Sequence, residues 1–170
     1  MENTELYGLN LNYRRCGLTA GTTNTFTTTV DIHYSLRGRA ASAAAISNAA
    51  PPTTDYNTGQ PFIPVGPNEA CVFVFSIDGT GTLDTSTRVM QGSIVELDGS
   101  TNGASANYVN ALSQFPTIQD TVVPYGWVIV KVGAGASPWT FGVSNFAGPP
   151  TNTSITFTSG SVIPDRPRST

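Results

Sequence analysis

The sequence predicts an all-β fold, a β-sandwich or jelly roll with one short helix and extended N- and C-terminal arms. Residues 70–77 and 124–132 are dense in β-branched and aromatic residues, and each segment has the length of a strand. Because nearly all their residues are apolar, both faces of each strand are expected to be covered. Residues 25–37 alternate apolar and polar positions, as a strand with one buried face does. Turn-forming residues separate about eight such strands, which is typical of sandwiches and jelly rolls.

The composition is that of a folded domain with a polar but nearly uncharged surface. At 170 residues, the chain is expected to form a single domain over 1–170, with 1–23 and 164–170 as arms. Only 11% of the residues are charged, against roughly 25% in ordinary soluble domains. The net charge of −3 argues against nucleic acid as a partner. No signal peptide or membrane span is recognised, so we expect synthesis in a cytoplasm and no membrane partner.

The first third of the chain predicts two strands and one ambiguous segment. Leu9, Leu11 and Tyr13 alternate with asparagines, which predicts a short strand. One long strand is expected over residues 25–37, and its buried face would carry Phe26, Thr28, Val30, Ile32, Tyr34 and Leu36. The Ala-rich residues 40–50 fit a helix by propensity. They lack a large apolar stripe, however, and also fit a closely packed strand, so both alternatives stay open.

Residues 51–69, hereafter the Pro-rich loop, connect this region to the strand at 70–77. Loops this long in a compact domain usually carry a function or lie against a neighbouring molecule. We therefore predict that the Pro-rich loop is a contact arm, and that the loop and the two termini make inter-subunit or shell contacts. The candidate interface residues are Tyr56, Pro61, Phe62, Pro64, Arg166 and Arg168.

The second half of the chain predicts further strands on either side of the central one. Residues 87–91 and 93–97 are expected to form a strand pair with Gly92 as a bulge. Residues 153–163 alternate again and predict a strand near the C-terminus.

One short surface helix is expected between these strands. Tyr108, Leu112 and Phe115 have helical spacing, and Pro116 would end the helix. The other large aromatic residues, Tyr125, Trp127 and Trp139, lie in or beside strands. We expect them to pack in the core, since buried aromatic side chains usually do.

The sequence contains no signature of catalysis or metal binding, so we predict a protein that is not an enzyme and needs no cofactor. His33 is the only histidine, and its neighbours Asp31 and Ser35 would lie side by side on one strand rather than in a relay. An exposed or interface histidine is therefore expected. Residues 55–59 resemble the start of a calcium loop but lack its downstream acidic ligand, which favours an Asx turn.

The two cysteines are expected to be free thiols buried in the protein. Cys16 and Cys71 are far apart in the sequence, and a reducing compartment disfavours a disulfide. Arg14 and Arg15 directly precede Cys16 and would lower the pKa of its thiol. No base is placed near Cys16 by the sequence, so a structural role is predicted.

Five stretches together resemble the small β-rich structural proteins in the virions of tailed bacteriophages. They are NLNYRRCGL at 10–18, CVFVF at 71–75, PYGWVIVK at 124–131, WTFG at 139–142 and PDRP at 164–167. The resemblance implies a capsid decoration (cement) protein, which binds the major capsid protein on the outer shell, often as a homotrimer. It implies no particular binding residues, because its motifs concern packing and turns.

A second function is compatible with the same predicted fold. A carbohydrate- or receptor-binding module at a phage fibre or tail tip would use aromatic residues in loops to stack on a sugar. Tyr56 and Tyr108 are the candidates for that role. Binding to a glycan that is lost on Tyr56→Ala would distinguish this alternative from the decoration protein.

Overall fold

The computed structural model describes residues 11–12, 14–36, 38–78 and 86–160, and this part of the chain is all-β. It contains ten strands and no helix. The strands are β1 (Leu11–Asn12), β2 (Leu18–Ala20), β3 (Phe26–Thr28), β4 (Ile32–Leu36), β5 (Arg39–Ala43), β6 (Glu69–Asp78), β7 (Thr87–Gln91), β8 (Val95–Glu96), β9 (Val122–Val132) and β10 (Thr153–Ser159).

The largest sheet is antiparallel and has β6 and β9 at its centre. Its strand order is β10-β9-β6-β7, and β8 pairs with β6 beside β7. The prediction of two central strands is confirmed, since β6 is buried along nearly its whole length and pairs with β9 from Glu69 to Asp78. Such burial on both faces explains why the sequence of β6 has no polar alternation.

One face of this sheet packs in the main core of the molecule. The core also takes side chains from the three-stranded sheet β1-β4-β5 and from the two-stranded sheet β2-β3. Residues 136–146 contribute a further aromatic group, in which Trp139 and Phe141 are fully buried. The expected core positions of Tyr125 and Trp139 are therefore confirmed, whereas Trp127 is only partly buried on the opposite face.

The opposite face of the sheet is covered by the irregular segment 97–121. The short helix expected at Tyr108–Phe115 is wrong, because these residues have no helical turn. Tyr108 packs near Ala70, while Phe115 packs edge-on against Trp127 with ring centroids 5.4 Å apart. A helix rises only about 1.5 Å per residue, against about 3.3 Å for extended chain, so an irregular path covers more of the sheet face.

The structure gives more detail than the sequence for two segments in the first third of the chain. The strand expected over 25–37 is split into β3 and β4 by a bend at Thr29 and Val30, although the alternation of buried positions continues across it. The Ala-rich segment begins as strand β5 and is irregular after Ala43, which decides against a helix.

The expected strand pair at 87–97 has a different pairing. Strands β7 and β8 do not pair with each other but follow one another along the same edge of β6. Phe73 pairs with Gln91 and Ala70 pairs with Val95. The three steps from Phe73 back to Ala70 along β6 are therefore matched by four steps from Gln91 to Val95, which means one extra residue on the β7–β8 side. Gly92 is still in register, because its N–H donates to the carbonyl oxygen of Val72. The extra residue therefore falls at Ser93 or Ile94, one or two positions after the predicted bulge at Gly92.

The segment expected as an N-terminal arm is partly built into the domain. Cys16 and Leu18 lie in the main core, and β2 pairs with β3. The expected strand near Leu9 is represented by the two residues of β1, which pair with β4. Residues 1–10 and 164–170 lie outside the described residues, and so do Arg166 and Arg168.

Candidate functional site

The Pro-rich loop is fixed to its own domain along most of its length. Thr54 and Pro61 form an isolated β-bridge that closes the first half of the loop. In the second half, the N–H groups of Val65 and Trp139 each donate to the other residue's carbonyl oxygen, at 2.8 and 2.9 Å. The loop is therefore an ordered surface feature rather than a projecting arm.

Asp55 organises the turn at the tip of the loop. Its side chain is buried and accepts hydrogen bonds from the backbone N–H of Asn57 at 3.1 Å and from the hydroxyl of Thr58 at 3.3 Å. The bond to Asn57 defines an Asx turn, so the Asx interpretation of residues 55–59 is confirmed. The same carboxylate accepts the backbone N–H of Gln91 at 3.4 Å, which connects the turn to β7.

Tyr56 is half-buried and held from three directions. Its backbone N–H donates to the carbonyl oxygen of Val89 at 2.9 Å, and its hydroxyl shares a hydrogen bond with the hydroxyl of Thr121 at 3.2 Å. The guanidinium of Arg88 lies 5.6 Å from the centre of its ring. Arg88 in turn pairs with the buried carboxylate of Asp78 at 3.1 Å. Such contacts give Tyr56 a structural use within its own domain.

The apolar residues at 62 and 63 face in opposite directions. Phe62 is only 3% exposed, and its ring centroid lies 4.8 Å from that of Phe141 in the main core. Ile63 is 63% exposed, which makes it one of the three most exposed large apolar side chains in the described chain. Among the predicted interface residues, Pro61 and Pro64 are also exposed, and they flank Ile63.

The backbone of Ile63 is held firmly although its side chain is exposed. Its N–H donates to Oε1 of Gln91, and its carbonyl oxygen accepts a hydrogen bond from Nε2 of the same side chain, both at 2.8 Å. Ile63 was missed by the sequence analysis, because a Phe-Ile pair between prolines does not reveal which residue faces outward. The residue that fixes Ile63 is Gln91, whose side-chain amide bonds to the backbone of Ile63. The sequence alone does not place β7, which carries Gln91, beside the loop.

Tyr108, the other candidate for sugar stacking, is also engaged within the molecule. The ammonium group of Lys131 lies 4.8 Å from the centre of its ring, and its hydroxyl accepts a hydrogen bond from Ser113 at 3.3 Å. Lys131 is fixed there because it also donates to the carbonyl oxygen of Ala106 at 2.8 Å. Tyr56 and Tyr108 thus each have a cation above the ring, and both lie partly buried.

The residues considered for catalysis are not assembled into a site. His33 is exposed as predicted, and Asp31 uses Oδ1 to accept the backbone N–H of Ala45 at 2.9 Å. Within the ranges that the structure describes, no three His, Cys, Asp or Glu side chains are grouped so as to hold a metal ion. The same ranges contain no helix that is long and apolar enough to cross a membrane.

Both cysteines are free and buried, as predicted. Burial raises the pKa of the Cys16 thiol, so the expectation that the preceding arginines would lower it is wrong. Burial likewise raises the pKa of Cys71 to about 12. Because the thiolate is the reactive form, neither sulfur is suited to act as a nucleophile at neutral pH.

We expect both thiols to resist a disulfide reagent at pH 8 in the folded protein and to react fully after denaturation. The physical reason is the raised pKa together with the buried position of each sulfur. Absorbance of the released aromatic thiol, recorded with and without denaturant, measures the difference. Rapid reaction of either cysteine in the folded protein would contradict the buried placement.

Comparison with known proteins identifies no relative. No family model, no curated protein and no solved structure matches this chain.

Proposed function

We propose that this chain is a non-enzymatic structural protein of a phage virion, a decoration (cement) protein that binds the outer shell of the capsid. The observation that carries the proposal is the firmly held Pro-rich loop, which presents the exposed side chain of Ile63 between Pro61 and Pro64. We further infer that the antiparallel sheets form a β-sandwich, the architecture expected for this role.

A rigid loop with an apolar tip suits binding to another protein. Association costs free energy for every side chain and loop that has to be ordered, and the Gln91 hydrogen bonds have already ordered Ile63. Exposed apolar side chains in well-defined positions are also the residues that fill pockets on a partner surface. These properties support a protein–protein contact made by the loop.

The low charge of the chain supports assembly in a crowded lattice. Charged residues make up 11% of the sequence, so neighbouring copies on a capsid would repel one another only weakly. The proposed partner is the major capsid protein of the same phage. The resemblance also implies self-association as a trimer.

The receptor-binding alternative has less support. A sugar-stacking platform needs an accessible aromatic face, whereas Arg88 and Lys131 lie over the rings of Tyr56 and Tyr108. The proposed decoration role requires neither ring to be accessible. It is therefore the function that the described surfaces favour.

Immunogold labelling of particles purified from the source tests where the protein lies. An antibody against this chain is expected to label the heads evenly. Labelling confined to tail or fibre tips would favour the receptor-binding module instead. Intact particles that carry no label would overturn an exposed position in the virion.

Ile63→Asp is expected to weaken binding to undecorated heads by about 30-fold or more, because a central contact residue commonly contributes about 2 kcal/mol or more. Placing an unpaired carboxylate in an apolar contact adds a desolvation cost. Co-sedimentation of the purified variants with heads measures the change. A point substitution is preferable to deleting the loop, since deletion would also remove the buried Phe62 and Val65 from the core.

Val109→Asp is the matched control for this experiment. Val109 is 54% exposed but lies in segment 97–121, on the other face of the main sheet. We expect it to bind heads as the unmodified chain does. Equal binding by Ile63→Asp and Val109→Asp would show that the Pro-rich loop does not make the contact.

A further inference from the structure

The outer edge of β10 has backbone groups directed away from the main sheet. Gly160 donates its N–H to the carbonyl oxygen of Tyr125 at 3.4 Å, and Gly133 donates to Asn152 at 3.0 Å. In an antiparallel ladder, opposite residues alternate between pairs that exchange hydrogen bonds and pairs that do not. By the register of β9 and β10, the even-numbered residues of β10 therefore bond to β9, while the N–H and C=O of the odd-numbered residues point outward.

The middle of this edge is open. At its two ends, Thr153 donates its N–H to the carbonyl oxygen of Pro150, and the hydroxyl of Ser159 accepts the N–H of Leu18. Between them, the outward N–H and C=O groups of Ile155 and Phe157 have no hydrogen-bond partner in the described chain. Four backbone groups on successive outward positions are thus available for a further strand.

The opposite edge of the sheet is covered by the chain itself. There the Pro-rich loop bonds to β7, through Tyr56 to the carbonyl oxygen of Val89 and through Asp55 to the N–H of Gln91. Edge strands are usually protected by such a cover or by charges, prolines or bulges. Among the described residues, β2 contacts β10 through Leu18 and Ser159, but the outward backbone groups of Ile155 and Phe157 have no such cover. The register of β10 with β9 is continuous over seven residues, and its sequence, TSITFTS, has no charge and no proline.

The geometry points to a second copy of this chain as the partner of β10, with the two β10 strands paired antiparallel across a two-fold axis. Ile155 of one copy would lie opposite the partner subunit's Phe157, and the two would exchange both hydrogen bonds. The symmetry-related pair does the same, which satisfies all four open groups on each copy. The sheets then join into one continuous path, β7-β6-β9-β10 followed by its copy in reverse order.

The chemistry of the strand favours a copy of itself over a different partner. A two-fold axis at Thr156 places this exposed threonine beside the same residue of the second copy, about 4.5–5.5 Å apart between Cβ atoms. Any charge near the axis would meet its own like charge. No charged residue occurs between Lys131 and Asp165, so β10 itself brings no like charges against its copy.

This pairing is independent of binding to a capsid, and it predicts a dimer rather than the trimer that the resemblance implies. Light scattering during size-exclusion chromatography of the full chain is expected to give twice the monomer mass. Thr156→Lys places two ammonium groups side by side and is expected to raise the dissociation constant about fivefold or more. Thr117→Lys is the matched control and should leave the dimer unchanged, because Thr117 is exposed and its carbonyl oxygen accepts a hydrogen bond from Asn57 of the Pro-rich loop, at the opposite edge of the sheet.

A mixing experiment makes the test specific to the two-fold axis. Equal amounts of Thr156→Lys and Thr156→Glu should form a mixed dimer more readily than either forms a dimer alone, because opposite charges then face each other. Thermal unfolding of each variant checks that the monomer fold is intact. The proposal would be overturned if the unmodified chain is a monomer or a trimer, or if Thr156→Lys leaves the dimer unchanged. It would also be overturned if Thr156→Lys and Thr156→Glu form the mixed dimer no more readily than each forms a dimer alone.

Discussion

Phe141→Ala is expected to lower the free energy of unfolding by about 3–5 kcal/mol, the usual cost of truncating a fully buried phenylalanine. Phe141 lies in no strand, yet its ring is at the centre of the aromatic core. The centroids of five rings lie within 6.0 Å of its own, those of Phe62, Phe73, Phe75, Trp139 and Phe146. The neighbouring rings are rigid and cannot easily move into the cavity that the truncated side chain would leave. We therefore expect the loss of stability to include the cost of that cavity.

Urea denaturation followed by tryptophan fluorescence measures the loss, since Trp139 is in the affected cluster. Val143→Ala, two residues away, is the control, because that side chain is 69% exposed and should change stability by less than about 0.5 kcal/mol. Domains of ordinary stability have only about 5–15 kcal/mol in total. A loss below about 1 kcal/mol for Phe141→Ala would contradict the placement of residues 136–146 in the main core.

The central strands are the part of this fold that the sequence reveals most clearly. The run from Cys71 to Phe75 and the run from Trp127 to Val132 consist almost wholly of β-branched and aromatic residues. Such runs mark strands because a position covered on both faces cannot tolerate polar alternation. The all-β class follows from the same pattern, and it depends only on local sequence.

Features that depend on partner strands could not be predicted. In β9, Phe75 pairs with Gly126 and Ser76 with Pro124, so Tyr125 is an extra residue in the ladder. This bulge lets Tyr125 and Val128 both face the main core although their positions differ by three. The helix expected at Tyr108–Phe115 is wrong because its apolar residues are also placed by the strands they pack on. Tyr108 and Phe115 contact two separate clusters on the sheet face, which the sequence of this segment does not reveal.

The candidate site was predicted at the level of the loop but not at the level of its residues. The proline content indicates a long segment without regular structure at 51–69, and the structure has one over 51–68, since Glu69 is the first residue of β6. The sequence could not show that Phe62 enters the core while Ile63 faces outward. That difference is set by Gln91 and Phe141, which reach the loop from other elements. Local patterns cannot contain such information.

Gly142→Ala is expected to destabilise the protein by about 2–5 kcal/mol, from two separate causes. Gly142 has φ of 77°, a left-handed conformation that costs an alanine about 1–2 kcal/mol. A Cβ atom there would also lie 2.6 Å from the carbonyl oxygen of Pro52 and 3.1 Å from Cα of Thr53. Relieving that overlap adds about 1–3 kcal/mol and requires the first part of the Pro-rich loop to move.

Gly148→Ala separates the two causes, because Gly148 has nearly the same φ of 74° but no atom within 4 Å of the added Cβ. Its expected loss is therefore the conformational cost alone. The difference between the two variants in urea denaturation measures how firmly the Pro-rich loop is packed on the segment that carries Phe141. Binding of Gly142→Ala to heads should also weaken, since displacement of the loop would move Ile63. Equal losses for the two variants would mean that the loop can move away from Gly142 at little cost, and would contradict the rigid presentation of Ile63.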